Sequence, residues 1–189
     1  EIKGRSDSPM AISVRSRQAA EDFFCETSPL AGRLSRRCWP GPLTLVTPCQ
    51  DRHSAVQQLP PDVRRRITGQ GGGIGFRVVE HRILEAIHRF MAAPLVLTSA
   101  NLSGKPPQPN AQGVLDQLSG AVPLLLDDGP TRYGGVSTVV RVSGNRWELL
   151  RAGVIERAAM NQFVKPVIVM VCTGNTCRSP MAETLMREM

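Results

Sequence analysis

Trp39-Pro40-Gly41-Pro42-Leu43-Thr44 decides how this chain is read. Its prolines and glycine halt the helical spacing of Leu30–Cys38, because proline lacks an N–H and clashes with the turn before it. Leu43–Thr47 then forms a short apolar run that predicts a buried strand. The same alternation extends in both directions. Upstream, Met10–Val14 reads as a strand and Gln18–Cys25 as a helix. Downstream, Gly75–Val79 predicts a strand, and His81–Met91 has helical spacing through Ile83, Ile87 and Phe90 or Met91. Leu95–Thr98 follows as a strand, Ala111–Leu118 as a helix and Val122–Leu126 as a strand. Thr138–Val142 and Trp147–Leu150 predict a hairpin across Ser143-Gly144-Asn145. Gly71-Gly72-Gly73, in the glycine-rich stretch Gly69–Gly73, reads as a flexible turn, since no Gly-Lys-Ser/Thr follows it. Strands mixed with helices, at several hairpin-like spacings, imply an α/β or α+β domain with a mixed sheet.

Composition narrows the class. The chain has 189 residues, enough for one domain and part of another. Its 41% hydrophobic and 21% charged content suits a globular protein, and aromatics at 4% require an aliphatic core. No apolar run approaches the roughly 18–20 residues that span a bilayer. Five cysteines at irregular spacing argue against a secreted disulfide framework, so a cytoplasmic location and no membrane partner are expected. His53, His81 and His88 form no metal-ligand pattern with the cysteines, so no metal site is expected. The net charge of +7 comes from arginine far more than lysine. It favours anionic partners only weakly, because no basic run interleaved with aromatics builds a nucleic-acid platform.

Polar groups cluster in turns beside the apolar runs. Lys3-Gly4-Arg5 sets two cations on one face of an extended chain. Thr98-Ser99-Ala100-Asn101-Leu102-Ser103-Gly104 directly follows a predicted strand, and Ser137-Thr138-Val139-Val140 and Leu149-Leu150-Arg151-Ala152-Gly153 flank the hairpin. Each alone fits ordinary turn chemistry. In this order, together with Trp39–Thr44 and the strand-end Arg77, they resemble the threonylcarbamoyl-AMP synthase family with its YrdC-like fold, over residues 1–154. That resemblance implies a twisted mixed sheet with helices. It also implies a nucleotidyltransferase that condenses ATP, L-threonine and bicarbonate to threonylcarbamoyl-AMP and pyrophosphate, for threonylcarbamoyladenosine modification of tRNA. The tRNA-modification machinery would receive the product, and Mg2+ would accompany ATP. Lys3 and Arg5 would be catalytic. Lys3, Arg5, Ser99, Asn101 and Arg151 would bind nucleotide, and Arg77 and Ser137 threonine. The chain departs from the family pattern at Ser6, at Gly73 and at Arg77-Val78-Val79. The family's Pro-Thr signature strand, which helps form the threonine pocket, is expected upstream of residue 1.

A second constellation lies at residues 172–179. Val167–Met170 reads as a buried strand and Met181–Met186 as a helix with Pro180 in its first turn. Between them, Cys172-Thr173-Gly174-Asn175-Thr176-Cys177-Arg178-Ser179 forms an anion loop at a helix N-terminus, where a thiolate is stabilised and Arg178 can grip a phosphoryl group. The Cys-x5-Arg-Ser-Pro wording resembles the low-molecular-weight protein-tyrosine phosphatases, a flavodoxin-like fold whose phosphate loop needs no cofactor. By that likeness Cys172 is the nucleophile, Arg178 the clamp, Ser179 a donor to the thiolate and Asn175 the residue that shapes the loop. Thr176 resembles the protein-arginine phosphatases of that family. Cys172 is therefore expected to be the most reactive of the five thiols. Residues 155–165 are expected as a short helix or linker, residues 166–189 as the first piece of the phosphatase domain, and the whole as part of a longer protein acting on a phosphoprotein. Two other readings remain open: a double-stranded RNA or tRNA-binding module, and a phosphatase with a YrdC-like regulatory domain.

Overall fold

Buried and open side chains alternate along Thr138–Ser143, as they must in a sheet packed on one face and open on the other. The computed structural model describes residues 9–24, 28–49, 54–91, 93–118 and 120–188. Within them six strands form one mixed sheet: β1 (Ala11–Ser13), β2 (Leu43–Pro48), β3 (Gly73–Arg77), β4 (Leu95–Leu97), β5 (Thr138–Ser143) and β6 (Arg146–Arg151), in the order β4-β1-β3-β2-β5-β6. β1 runs parallel to β3, and β2 parallel to β5; the other pairings are antiparallel. The helices are α1 (Arg17–Glu21), α2 (Pro29–Cys38), α3 (Pro61–Ile67), α4 (Arg82–Phe90), α5 (Ala111–Leu118), α6 (Arg157–Phe163) and α7 (Arg178–Glu188).

One face of the sheet carries the core. Ile12, Leu43, Leu45, Ile74, Phe76, Val140 and Val142 meet Ala20 of α1, Leu30 and Leu34 of α2 and Met160 of α6, all nearly or fully buried. Burying each large side chain stabilises by about 1.5–3 kcal/mol. Local signals fix where the helices start. Ser16 and Ser28 accept from the backbone of Ala19 and Ala31, and Pro29 occupies the first turn of α2. The stretch 155–165, expected as a helix or linker, holds α6, whose Met160 is wholly buried. Arg37 Nη1 donates to the carbonyls of Phe163 at 2.5 Å and Lys165 at 2.9 Å, and Arg33 Nε to that of Val164 at 3.2 Å. Two cations thus satisfy the orphan acceptors at the end of α6.

Three expectations are corrected. Val122–Leu126 joins no ladder; Pro123 lacks a donor, and Leu124 and Leu126 face solvent. Val167–Met170 also forms no strand and is largely exposed instead of buried, because no described strand pairs with it. Gly69–Gly73 is an ordered turn in which Gly69 N–H donates to the Gly73 carbonyl at 2.8 Å, with positive φ at Gly71 and Gly72. Helix α3 was not foreseen, although Pro61 at its first turn, Asp62 near its start and Arg64–Arg66 near its end are start and stop signals. No helix among the described residues is long and apolar enough to cross a membrane.

Candidate active-site cleft

The face of the sheet opposite the core floors a cleft of about 870 Å³. Strand pairing lays two rows of residues across it. Ser13 pairs Arg77, Thr44 lies across from Arg77 on β2, and Thr44 pairs Val139, which pairs Arg151. Two residues along each strand, and three on β6 where the register shifts, runs a second row, Leu97–Ala11–Gly75–Val46–Arg141–Glu148. This floor is open because its middle is small. A Cβ on Gly75 would stand 3.2 Å from Thr44 Cγ2, and one on Gly73 only 2.8 Å from Val46 Cγ1.

The first row, with Ser137 just before β5, gathers three residues singled out in the sequence. Arg151 donates from Nε and Nη2 to the Ser137 carbonyl at 3.1 and 2.8 Å, and from Nη2 to Ser137 Oγ at 2.9 Å. Ser137 Oγ in turn lies 3.0 Å from Thr44 Oγ1, and both residues are buried. Arg77 Nε donates to the Gly41 carbonyl at 3.3 Å. Burial first, and then the charge of Arg151, push the Arg77 guanidinium below the usual arginine range, while Tyr133 acts in the opposite sense. Two cations held together in a half-buried cleft are stabilised by an anion arriving between them.

The motifs now have positional reasons. Trp39 Nε1 donates to the Leu43 carbonyl at 2.8 Å, and Gly41 N–H donates to the Val78 carbonyl at 2.9 Å. Together they hold the Gly41 carbonyl where Arg77 meets it. A Cβ on Gly41 would come within 2.6 Å of the Cys38 carbonyl oxygen. Gly153 packs so closely on the start of β5 that a Cβ there would be 2.5 Å from Thr138 N and Val136 O. Thr44 was quoted in the sequence without a role, yet it completes the Ser137 contact. Arg141 gave no signal, since a strand arginine is commonplace.

The other expected residues are more scattered. Ser99 lines the cleft beside Thr98 and Ala100. Asn101 does not line it: its Nδ2 donates to the Leu102 and Lys105 carbonyls at 3.0 and 2.5 Å, and its buried Oδ1 has no hydrogen-bond partner. Its side chain shapes the 99–105 loop. Lys3 and Arg5 lie outside the described residues. At the rim, Tyr133 and Arg132 both bond the Glu80 carboxylate, and Arg82 bonds Asp128. These pairs tie residues 127–133 to the connection between β3 and α4. No group of three or more His, Cys, Asp or Glu among the described residues suits a metal ion.

In the 172–179 loop, Asn175 has φ of 48°, and its N–H donates to Cys172 Sγ at 3.1 Å. The Cys172 thiol is lowered to about 7. Ser179 is the leading cause, through its hydroxyl and then its N–H, followed by the N–H groups of Asn175 and Gly174. The Ser179 hydroxyl is buried and makes no hydrogen bond of ordinary geometry, so its effect is that of a dipole near the sulfur. Thr173, Gly174, Thr176, Cys177 and Arg178 are exposed, and the Arg178 side chain makes no hydrogen bond or ion pair among the described residues. Burial raises Cys38 to about 11. Cys49 is disulfide-bonded, so it does not count among the free thiols; irregular spacing in sequence says nothing about which cysteines meet in space.

Residues 1–153 match the Sua5/YciO/YrdC family, whose description reads telomere recombination. Residues 167–189 match the low molecular weight phosphotyrosine protein phosphatase family. The threonylcarbamoyl-AMP synthase of Bacillus subtilis is 32% identical over 170 residues, 89% of this chain and 46% of that protein. The threonylcarbamoyl-AMP synthase of Pyrococcus abyssi is 36% identical over 154 residues, 81% of this chain and 42% of its own length. The crystal structure of P. abyssi Sua5 complexed with L-threonine superposes with a TM-score of 0.74 at 31% identity, covering 86% of this chain and 45% of that one. This chain therefore spans less than half the length of these relatives.

Proposed function

Because the chain belongs to the Sua5/YciO/YrdC family, we propose that its sheet domain takes part in making threonylcarbamoyl-AMP from ATP, L-threonine and bicarbonate. The observation that carries this reading is the cluster of Arg77, Thr44, Ser137 and Arg151 on the cleft floor. The threonine amine attacks the bicarbonate carbon, and a C–O bond breaks with loss of water to give a carbamate. A carbamate oxygen then attacks the α-phosphorus, and the bond to the β-phosphate breaks to release pyrophosphate. Arg77 holds the threonine carboxylate, with Ser137 and Thr44 beside it. Arg151 offsets charge at the phosphate, where electrostatic stabilisation has most effect. Ser99 contacts the nucleotide from the β4 side of the cleft. Lys3 and Arg5 act on the phosphates. Mg2+ would accompany ATP as a substrate ion and would offset charge on its phosphates. The adenylate then passes to the tRNA-modification machinery.

The test is pyrophosphate release by the full chain as threonine is titrated. Arg77→Ala removes a charge-assisted contact of about 1.5–3 kcal/mol, so the threonine KM should rise by roughly 10- to 100-fold. Release that is independent of threonine, or an unchanged KM in the variant, overturns the assignment. Steep, salt-sensitive RNA binding without ATP turnover would instead favour the tRNA-binding module.

A second reading covers the 172–179 loop, on the strength of the lowered Cys172 thiol and the positive φ of Asn175. Cys172 is a phosphatase nucleophile, and the Thr176 hydroxyl favours phosphoarginine over phosphotyrosine on a phosphoprotein. Phosphate protection of Cys172 from alkylation supports this reading, and alkylation unaffected by phosphate overturns it.

A further inference from the structure

Arg141 belongs to none of the motifs that suggest the reaction, yet it stands on the same cleft floor. Its Cα pairs with Val46 on β2 and with Glu148 on β6, in the row that runs through Gly75 and Ala11 to Leu97. That row lies two residues from the Arg77 row, or about 6.6 Å along the strands. It points toward the end of the cleft where Thr98 and Ser99 leave β4 and where Pro9, Met10, Thr68 and Gly69 form the wall. Arg141 Nη1 donates to the Glu148 carboxylate at 3.1 Å, and the guanidinium is half-buried. An ion pair across neighbouring strands fixes the direction of the side chain. Because that pair is partly solvent-exposed, it adds little stability by itself.

Resting on the reading that ATP binds this cleft, we propose that Arg141 grips the polyphosphate of the nucleotide and so discriminates ATP from AMP. The chemistry is specific. The sheet offers Arg77 and Arg151 in one row, sufficient for a carboxylate and one phosphate. A third guanidinium one row away meets phosphate oxygens several ångströms further along. The planar fork of arginine suits two such oxygens at once. Leu97 and Arg141 are four strand spacings apart, about 19 Å at roughly 4.8 Å each. A nucleotide stretched between Ser99 and Arg141 therefore spans the floor, whereas a single phosphate touches only one end. Ala11 and Gly75 are small, and Val46 is the one larger side chain in the row before Arg141. Glu148 holds the guanidinium in place without contacting the nucleotide.

Calorimetric titration of the full chain with ATP and with AMP, using Arg141→Gln and Glu148→Gln, tests this. The expected result is ATP affinity at least tenfold weaker in Arg141→Gln, with AMP affinity changed less than twofold. Glu148→Gln keeps the guanidinium but loses the ion pair that directs it, so its ATP affinity should fall between those of the parent and Arg141→Gln, with AMP affinity changed less than twofold. Equal losses for ATP and AMP would mean a structural role and overturn the proposal. Unchanged ATP affinity in Arg141→Gln overturns it too, while leaving the synthase reading intact. If the parent chain binds no ATP, both fall together.

Discussion

Val139-Val140-Arg141-Val142 and Val167-Ile168-Val169-Met170 are nearly the same kind of sequence and meet opposite fates. The first lies between β2 and β6 with Val140 and Val142 buried. The second joins no ladder, and Val167 and Val169 are more than two-thirds exposed. β-branched residues favour strands mainly because they fit against neighbours on a pleated surface. Where the neighbour is present, propensity becomes structure. The cations follow the same rule: Arg151 is pinned by Ser137, whereas Arg178 extends from its loop with nothing described to hold it.

The sharpest way to break that comparison is to truncate one side chain on each side of it. Phe76→Ala should cost about 3–5 kcal/mol in denaturant unfolding, because its ring is fully buried against Phe23 and Phe24. Val169→Ala should stay within about 0.5 kcal/mol. A comparable loss at Val169 would mean that the second run is packed after all.

Gly153→Ala probes the same sheet where the site meets the backbone. Its Cβ would press on backbone atoms of Val136 and Thr138 at 2.5 Å, and backbone cannot step aside as a flexible side chain can. A loss of about 1–3 kcal/mol is expected. It should come with weaker ligand binding, because Ser137 and Arg151 shift together. A variant as stable as the parent would show that the close approach relaxes at no cost.

The smallest effect belongs to the exposed loop. Cys172 is depressed from 9.0 to about 7, so its thiolate is present above about pH 7 and lost as pH falls through it. Alkylation should be half-maximal near pH 7, and Ser179→Ala should move that midpoint upward. Cys38, raised to about 11, should stay silent throughout this range. An unmoved midpoint in Ser179→Ala would assign the depression to the backbone N–H groups instead.

Much of the sheet was legible because its signals are local. Pro40 and Pro42 bracket the turn into β2, Gly144 and Asn145 close the β5–β6 hairpin, and α5 has the bounds read from its spacing. Val122–Leu126 and Val167–Met170 were overread, since periodicity shows what a segment could bury and not whether a partner exists. Helix α3 was missed although Pro61 stands in its first turn, where proline is at home. Arg77, Ser137 and Arg151 stood out as motif residues. Their meeting with Thr44, and Arg141 in the next row, depended on strand register, which emerges only when the strands pair.

The two arginines at the end of α6 have a mechanical consequence. Arg33 and Arg37 hold the carbonyls of residues 162–165, about 130 positions away in sequence, and Met160 plugs the core just before them. A pull on the chain beyond Lys165 is therefore borne by α2 and the core, not absorbed by a slack tether. A cut placed after Lys165 spares that anchorage, whereas one a single turn earlier removes the anchor along with the cargo.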